Sequence, residues 1–150
     1  MSKKRVFSAD SHILEPPDLW TSRMDPKYGD LIPHLVHKES FDHFQSGEQH
    51  WGLLAAMGGA NAGMRHNPET AQKEVREGRF TVVRPGAYDP HARIKDAEGD
   101  GIYGEVIYPG IGLGLSLIPD HNLARAIMNA YTDWIADFCK PYPDRLKGIP

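Results

Sequence analysis

The residues with the clearest chemical potential stand near the N-terminus, where Asp10-Ser11-His12 is followed by Glu15. In an extended strand, residues two apart point the same way, so the Asp10 carboxylate and the His12 imidazole can converge on one divalent ion. The same pair can instead cap the strand end and hydrogen-bond the following turn, and spacing alone leaves both readings open. A second group, His34-x-x-His37 with His43 and His50, also has metal-ligand spacing. Pro33 breaks any helix there and no cysteine accompanies the group, so loop-surface histidines are the simpler account. The run Gly110-Ile-Gly112-Leu-Gly114-Leu-Ser116 lacks the third glycine of a dinucleotide fingerprint and the lysine of a phosphate-binding loop. It reads as a substrate-side loop. Cys139, the single cysteine, forms no internal disulfide or thiolate metal site and reads as a packing thiol.

These residues need elements to hold them. Residues 5–12 alternate, with Val6, Ser8, Asp10 and His12 on one face and Phe7 and Ala9 on the other, which predicts a buried strand. Glu15-Pro16-Pro17 ends it, because consecutive prolines remove ladder donors. Residues 21–84 show no clear period and read as a long insertion or cap. Short helices are expected there around 40–45 and 68–77, with a hinge, lid or poorly ordered loop at 58–63. Asp89 and Pro90 then form a helix start, N-cap followed by proline at the first helical position, for a helix to about Glu98 that Asp100-Gly101 closes. Residues 104–108 predict a second strand. Asp120 or Asn122 caps a helix whose Leu123, Ile127, Tyr131, Trp134 and Phe138 recur every three to four residues, and Pro141 and Pro143 stop it. Residues 146–150 read as the start of a third strand. Strand, insertion, helix, strand, helix, strand is a βα succession, which implies a parallel sheet with helices on its outer face.

Composition narrows the function classes. The chain has 150 residues, 40% of them apolar, and a net charge of −3 from 17 basic and 20 acidic residues. That is the profile of a globular domain. No basic tract extends beyond Lys3-Lys4-Arg5, so nucleic acid is not an expected partner. No run approaches the roughly 18–20 apolar residues of a spanning helix, and no apolar segment follows the basic N-terminus. A cytoplasmic location without membrane contact is the expectation.

Ser8-Ala-Asp10-Ser-His12-Ile-Leu-Glu15-Pro16-Pro17-Asp18-Leu19-Trp20 resembles the opening strand of the amidohydrolase-related proteins, the branch of the amidohydrolase superfamily that includes aminocarboxymuconate-semialdehyde decarboxylase and the hydroxybenzoate decarboxylases. Tyr88-Asp89-Pro90-x-x-Arg93 with Asp100-Gly101, then Glu105-Val-Ile-Tyr108-Pro109, resemble that family's first helix and second strand. Ala130-Tyr-x-Asp133-Trp134 through Phe138-Cys139 to Pro143-x-Arg145-Leu146-x-Gly148 resembles its second helix and third-strand entry. The resemblance covers the chain apart from residues 21–84.

It implies a partial (β/α)8 TIM barrel within the α/β class, the first two to three βα units with a long insertion after strand 1. It also implies a divalent metal, zinc first and manganese second, held by Asp10 and His12, with Glu15 as a third ligand or a group behind the ligands. Many relatives carry His or Glu where Asp10 stands. The implied activity is hydrolysis or decarboxylation of a small carboxylated or cyclic molecule. The family's remaining catalytic residues, a middle-strand His, a further His and a last-strand Asp, are expected beyond Pro150. A complete barrel takes about 250 residues, so the chain reads as a truncated product or fragment. The rival reading is a non-catalytic α/β binding or assembly module that has lost its metal site. An incomplete barrel would aggregate or pair as a homo-oligomer through its open sheet edge, whereas a monodisperse, cooperatively melting chain that binds no divalent ion fits the module.

Overall fold

The computed structural model describes residues 4–39, 41–53 and 79–150. The expected hinge at 58–63 and helix at 68–77 lie outside them. Three strands, β1 (Phe7–His12), β5 (Gly104–Tyr108) and β6 (Leu146–Gly148), form a parallel sheet in the order β1-β5-β6. The helices α2 (Pro90–Gly99) and α3 (His121–Cys139) connect them, as the βα succession predicts. The Asp89 carboxylate accepts from the Ala92 N–H at the start of α2, and Gly101, at φ 74°, supplies the left-handed turn after it. Asp120 caps α3 by accepting from the Asn122 and Leu123 N–H groups.

The helix α3 buries the predicted stripe of Leu123, Ile127, Tyr131, Trp134 and Phe138, together with Ala130 and Ile135. That stripe meets Ile107 and Leu146, both almost fully buried, in a single apolar core. On β5 the alternation is visible in burial: Glu105 and Ile107 are buried, whereas Val106 and Tyr108 on the opposite face are half-buried. The sheet carries its helices on the first of these faces.

Two strand expectations need correction. β1 is not buried: Phe7, Ala9, Asp10 and His12 are exposed, because β1 lies at the sheet edge and pairs on one side only. Its alternation is also interrupted. Ser8 pairs with Glu105 but Ser11 with Ile107, so three steps on β1 oppose two on β5. The extra residue is a β-bulge. It sets Ser11 Oγ 2.8 Å from Ser8 Oγ, so Ser8 leaves the face it was assigned with Asp10 and His12.

The insertion has more order than its sequence period suggests. α1 (Leu19–Arg23) buries Leu19 and Trp20 against α3, and a 3-10 stretch covers Pro26–Leu31. β2 (His34–His37), β3 (Asp42–Ser46) and β4 (Gln49–Leu53) then form an antiparallel meander. The helix expected around 40–45 is therefore a strand. Alternation of Asp42, Phe44 and Ser46 toward one side buries Phe44 edge-on against Trp20, with ring centroids 5.7 Å apart. Gly47, at φ 55°, makes the tight reversal into β4.

Asp42 fastens this meander to the chain that returns to α2. Its buried carboxylate accepts from the Phe80 N–H at 2.8 Å, His37 Nδ1 at 2.8 Å and an Arg79 guanidinium N–H at 3.0 Å. Burial works to raise its pKa, but these three donors outweigh burial and hold the carboxyl below its ordinary 3.8. A depressed acid stabilises the fold above its ordinary pKa and loses that contribution as pH falls through the folded value. Asp42→Asn is therefore expected to cost about 1–3 kcal/mol at neutral pH and less in acid. Urea denaturation across pH 2–7 checks this, and a penalty independent of pH would contradict it.

Candidate functional site

The C-terminal end of β1 delivers His12 beside Tyr108 and Asp10 beside His12. The His12 Nδ1 stands 3.0 Å from the Pro109 carbonyl oxygen. A carbonyl only accepts, so Nδ1 carries the proton and Nε2 of the neutral ring keeps its lone pair. That Nε2 is 3.6 Å from Asp10 Oδ1, and the Asp10 side chain is 85% exposed. A carboxylate oxygen and an imidazole lone pair thus stand together at the rim of a cleft of about 340 Å³, whose wall also includes Arg84, Arg93 and Asp96. These two side chains could hold a metal ion between them, with the histidine oriented by the carbonyl behind it.

Glu15 takes a different place. It is fully buried, and its Oε1 accepts from the Gly110 and Gly112 N–H groups at 3.0 Å while Oε2 accepts from the Ile111 N–H at 2.8 Å. Both oxygens are committed to the backbone of the loop after β5. Burial pushes the Glu15 carboxyl above its ordinary pKa, and the backbone N–H groups oppose that rise. Glu15 therefore anchors the loop adjoining Pro109, whose carbonyl orients His12. The same amides would be the cradle of any phosphate at Gly110–Gly112, and the Glu15 carboxyl already fills them.

Sequence spacing did not single out the ion pair beneath the site. Arg93 of α2 reaches Glu105 of β5 through Nε to Oε2 at 2.8 Å and a second N–H to Oε1 at 3.0 Å. It also donates to the His12 carbonyl at 3.1 Å. Ser11 Oγ, 2.8 Å from Glu105 Oε1, completes the network. The only sequence signal was that an arginine and a glutamate recur in the motifs quoted above; their pairing is a tertiary fact. Among the described residues no group of three or more His, Cys, Asp or Glu side chains is placed to hold a metal ion together. Cys139 is half-buried in the groove by β6, where burial raises its thiol pKa, as suits a packing thiol. No described helix is long and apolar enough to cross a membrane.

No protein-family model and no curated protein matches the sequence. Among solved structures, an amidohydrolase from Mycobacterium avium subsp. paratuberculosis K-10 matches with a TM-score of 0.67 at 16% identity. The match covers 100% of this chain and 43% of that one, so the chain spans less than half the length of its structural neighbour. Likeness at that identity is likeness of fold. The parallel βα architecture that carries Asp10 and His12 is accordingly shared with part of that neighbour's fold.

Proposed function

We propose that the chain is the N-terminal portion of a metal-dependent amidohydrolase-type enzyme, a partial (β/α)8 barrel acting as hydrolase or carboxy-lyase on a small carboxylated or cyclic molecule. One observation carries this reading: the Pro109 carbonyl fixes the His12 tautomer so that Nε2 presents its lone pair beside the Asp10 carboxylate. Asp10 and His12 would hold a divalent ion, zinc or manganese. An oxygen and a nitrogen donor suit both. When bound, such an ion polarises a substrate oxygen and acidifies coordinated water.

The chain's own residues supply the orientation. Glu15 holds the 110–112 backbone, Pro109 holds His12, and the Arg93–Glu105 pair holds the backbone carbonyl of His12. Glu15 supports the site from behind in this reading and is not a ligand. Arg84 at the cleft wall, 42% exposed while paired with Asp96, offers positive charge for a substrate carboxylate. Two donors leave several coordination positions open. The alternative reading is a binding or assembly module without catalysis.

Metal analysis separates the two. The purified chain, equilibrated with Zn2+ or Mn2+ and desalted, is expected to retain one equivalent more than the Asp10→Ala/His12→Ala variant. Equal retention by both proteins would remove the assignment of these two residues.

A further inference from the structure

The antiparallel meander brings together two histidines that stand far from β1 in sequence. His43 on β3 and His50 on β4 face the same side of the sheet, with ring centroids 5.0 Å apart and planes inclined at 58°. His43 is 5% exposed, and its Nδ1 has no hydrogen-bond partner among the described residues. Its Nε2 lies 3.4 Å from Gln45 Oε1. The amide oxygen accepts only, so the ring proton belongs on Nε2 and the lone pair on the buried Nδ1. A buried polar atom without a partner is uncommon and calls for an explanation such as an ion.

We propose that His43 and His50 form a site for a divalent transition-metal ion, independent of Asp10 and His12. Three observations converge on it. Two imidazoles sharing one tetrahedral Zn2+, with Zn–N of about 2.0–2.1 Å, hold their ring centroids about 5 Å apart, as these do. The Gln45 amide stands behind His43 in the position that fixes the tautomer of a ligating histidine. His50 is exposed, which leaves the outer side of the ion open to water or a further ligand. A simple ring contact accounts for the separation but leaves Nδ1 buried and unpaired. An ion with imidazole preference, Zn2+, Ni2+ or Cu2+, satisfies it.

The test uses the full chain carrying Asp10→Ala and His12→Ala, so that any site on β1 is removed and the two metal assignments fail or stand separately. Titration with Zn2+ at neutral pH, followed by competition with a chromophoric chelator, is expected to show one equivalent bound. Adding His50→Ala is expected to weaken that binding by more than about tenfold, the loss that even an outer-shell change brings. His91→Ala, an exposed histidine on α2, leaves it unchanged. Substitution of the buried His43 risks the fold, so its part is read by nitrogen NMR, where the Nδ1 resonance shifts on adding Zn2+. No Zn2+ uptake in the Asp10/His12 variant, or equal affinity with and without His50, would overturn the proposal.

Discussion

Replacing Arg93 by methionine is expected to destabilise the protein by about 3–5 kcal/mol, because it leaves the buried Glu105 carboxylate without its bidentate partner. Both side chains are about nine-tenths buried, so water does not make good the loss. The His12 carbonyl loses a donor in the same step, and Gly86 O, 3.3 Å from the same guanidinium, loses one as well. Lysine does not substitute: a single ammonium cannot reproduce the two parallel N–H bonds to Glu105. The double variant Arg93→Met/Glu105→Leu separates the cost of the orphaned charge from the worth of the pair. Removing both charges is expected to recover much of the loss, since replacing a buried pair by apolar groups is often near neutral. Urea denaturation of the wild-type, single and double variants gives both numbers. A single-variant loss below about 1 kcal/mol would mean that solvent reaches Glu105 and that the network is not what secures β1 to α2.

How much of this was readable beforehand depends on whether an element is specified locally. The helices α2 and α3 were legible because each carries its own start signal, Asp89-Pro90 and Asp120, and α3 repeats its apolar stripe over 19 residues. β5 was legible as an apolar run bounded by Gly101 and Pro109. β3 was not, since its alternation covers only five residues with histidine and glutamine among them. The signal that would have found it is paired: Asp42–Ser46 and Gln49–Leu53 flank a Gly47-Glu48 reversal, and only the two together read as a hairpin. The bulge in β1 was beyond sequence reasoning. It depends on the register with β5, nearly a hundred residues away, and on Ser8 and Ser11 both lying by Glu105.

The site shows the same division. Asp10 and His12 were placed side by side by spacing, and they stand side by side in the structure. Glu15 was left as a third ligand or a group behind the ligands, and only its burial against three backbone amides favours the second. Arg145, also part of the motifs, turns out to bind the Tyr103 carbonyl at 2.6 Å and Glu98 at 2.7 Å, which joins the entry of β6 to the entry of β5. Motif residues of this chain thus divide into a pair at the cleft and a larger set that fixes the framework around it.

Glu15 links these two sets, and its substitution carries the second large effect. Glu15→Ala removes the acceptor of three buried amides and opens a cavity under the 110–112 loop, a combined cost of about 3–5 kcal/mol. Glu15→Gln is the sharper instrument. Its amide oxygen can still accept from Gly110 and Gly112, but its NH2 group faces the Ile111 N–H, and one unpaired buried donor costs about 1–3 kcal/mol. Because burial raises the Glu15 carboxyl above 4.5, protonation favours the folded state. The stability Glu15 contributes is fully present below 4.5 and is lost as pH rises through the higher folded value. The penalty of the glutamine variant is therefore expected to be largest in acid and to shrink as pH rises above 4.5. A penalty that instead grows with pH would show that the amides outweigh burial and that Glu15 is held as a carboxylate. In the folded fraction of the same variant, loosening the loop frees the Pro109 carbonyl from its place behind His12. At the metal site proposed for Asp10 and His12, Zn2+ affinity is expected to fall by about ten- to a hundredfold, the usual consequence of disturbing what orients a ligand. An affinity equal to wild type would place the control of His12 elsewhere, in the Arg93 contact to its carbonyl.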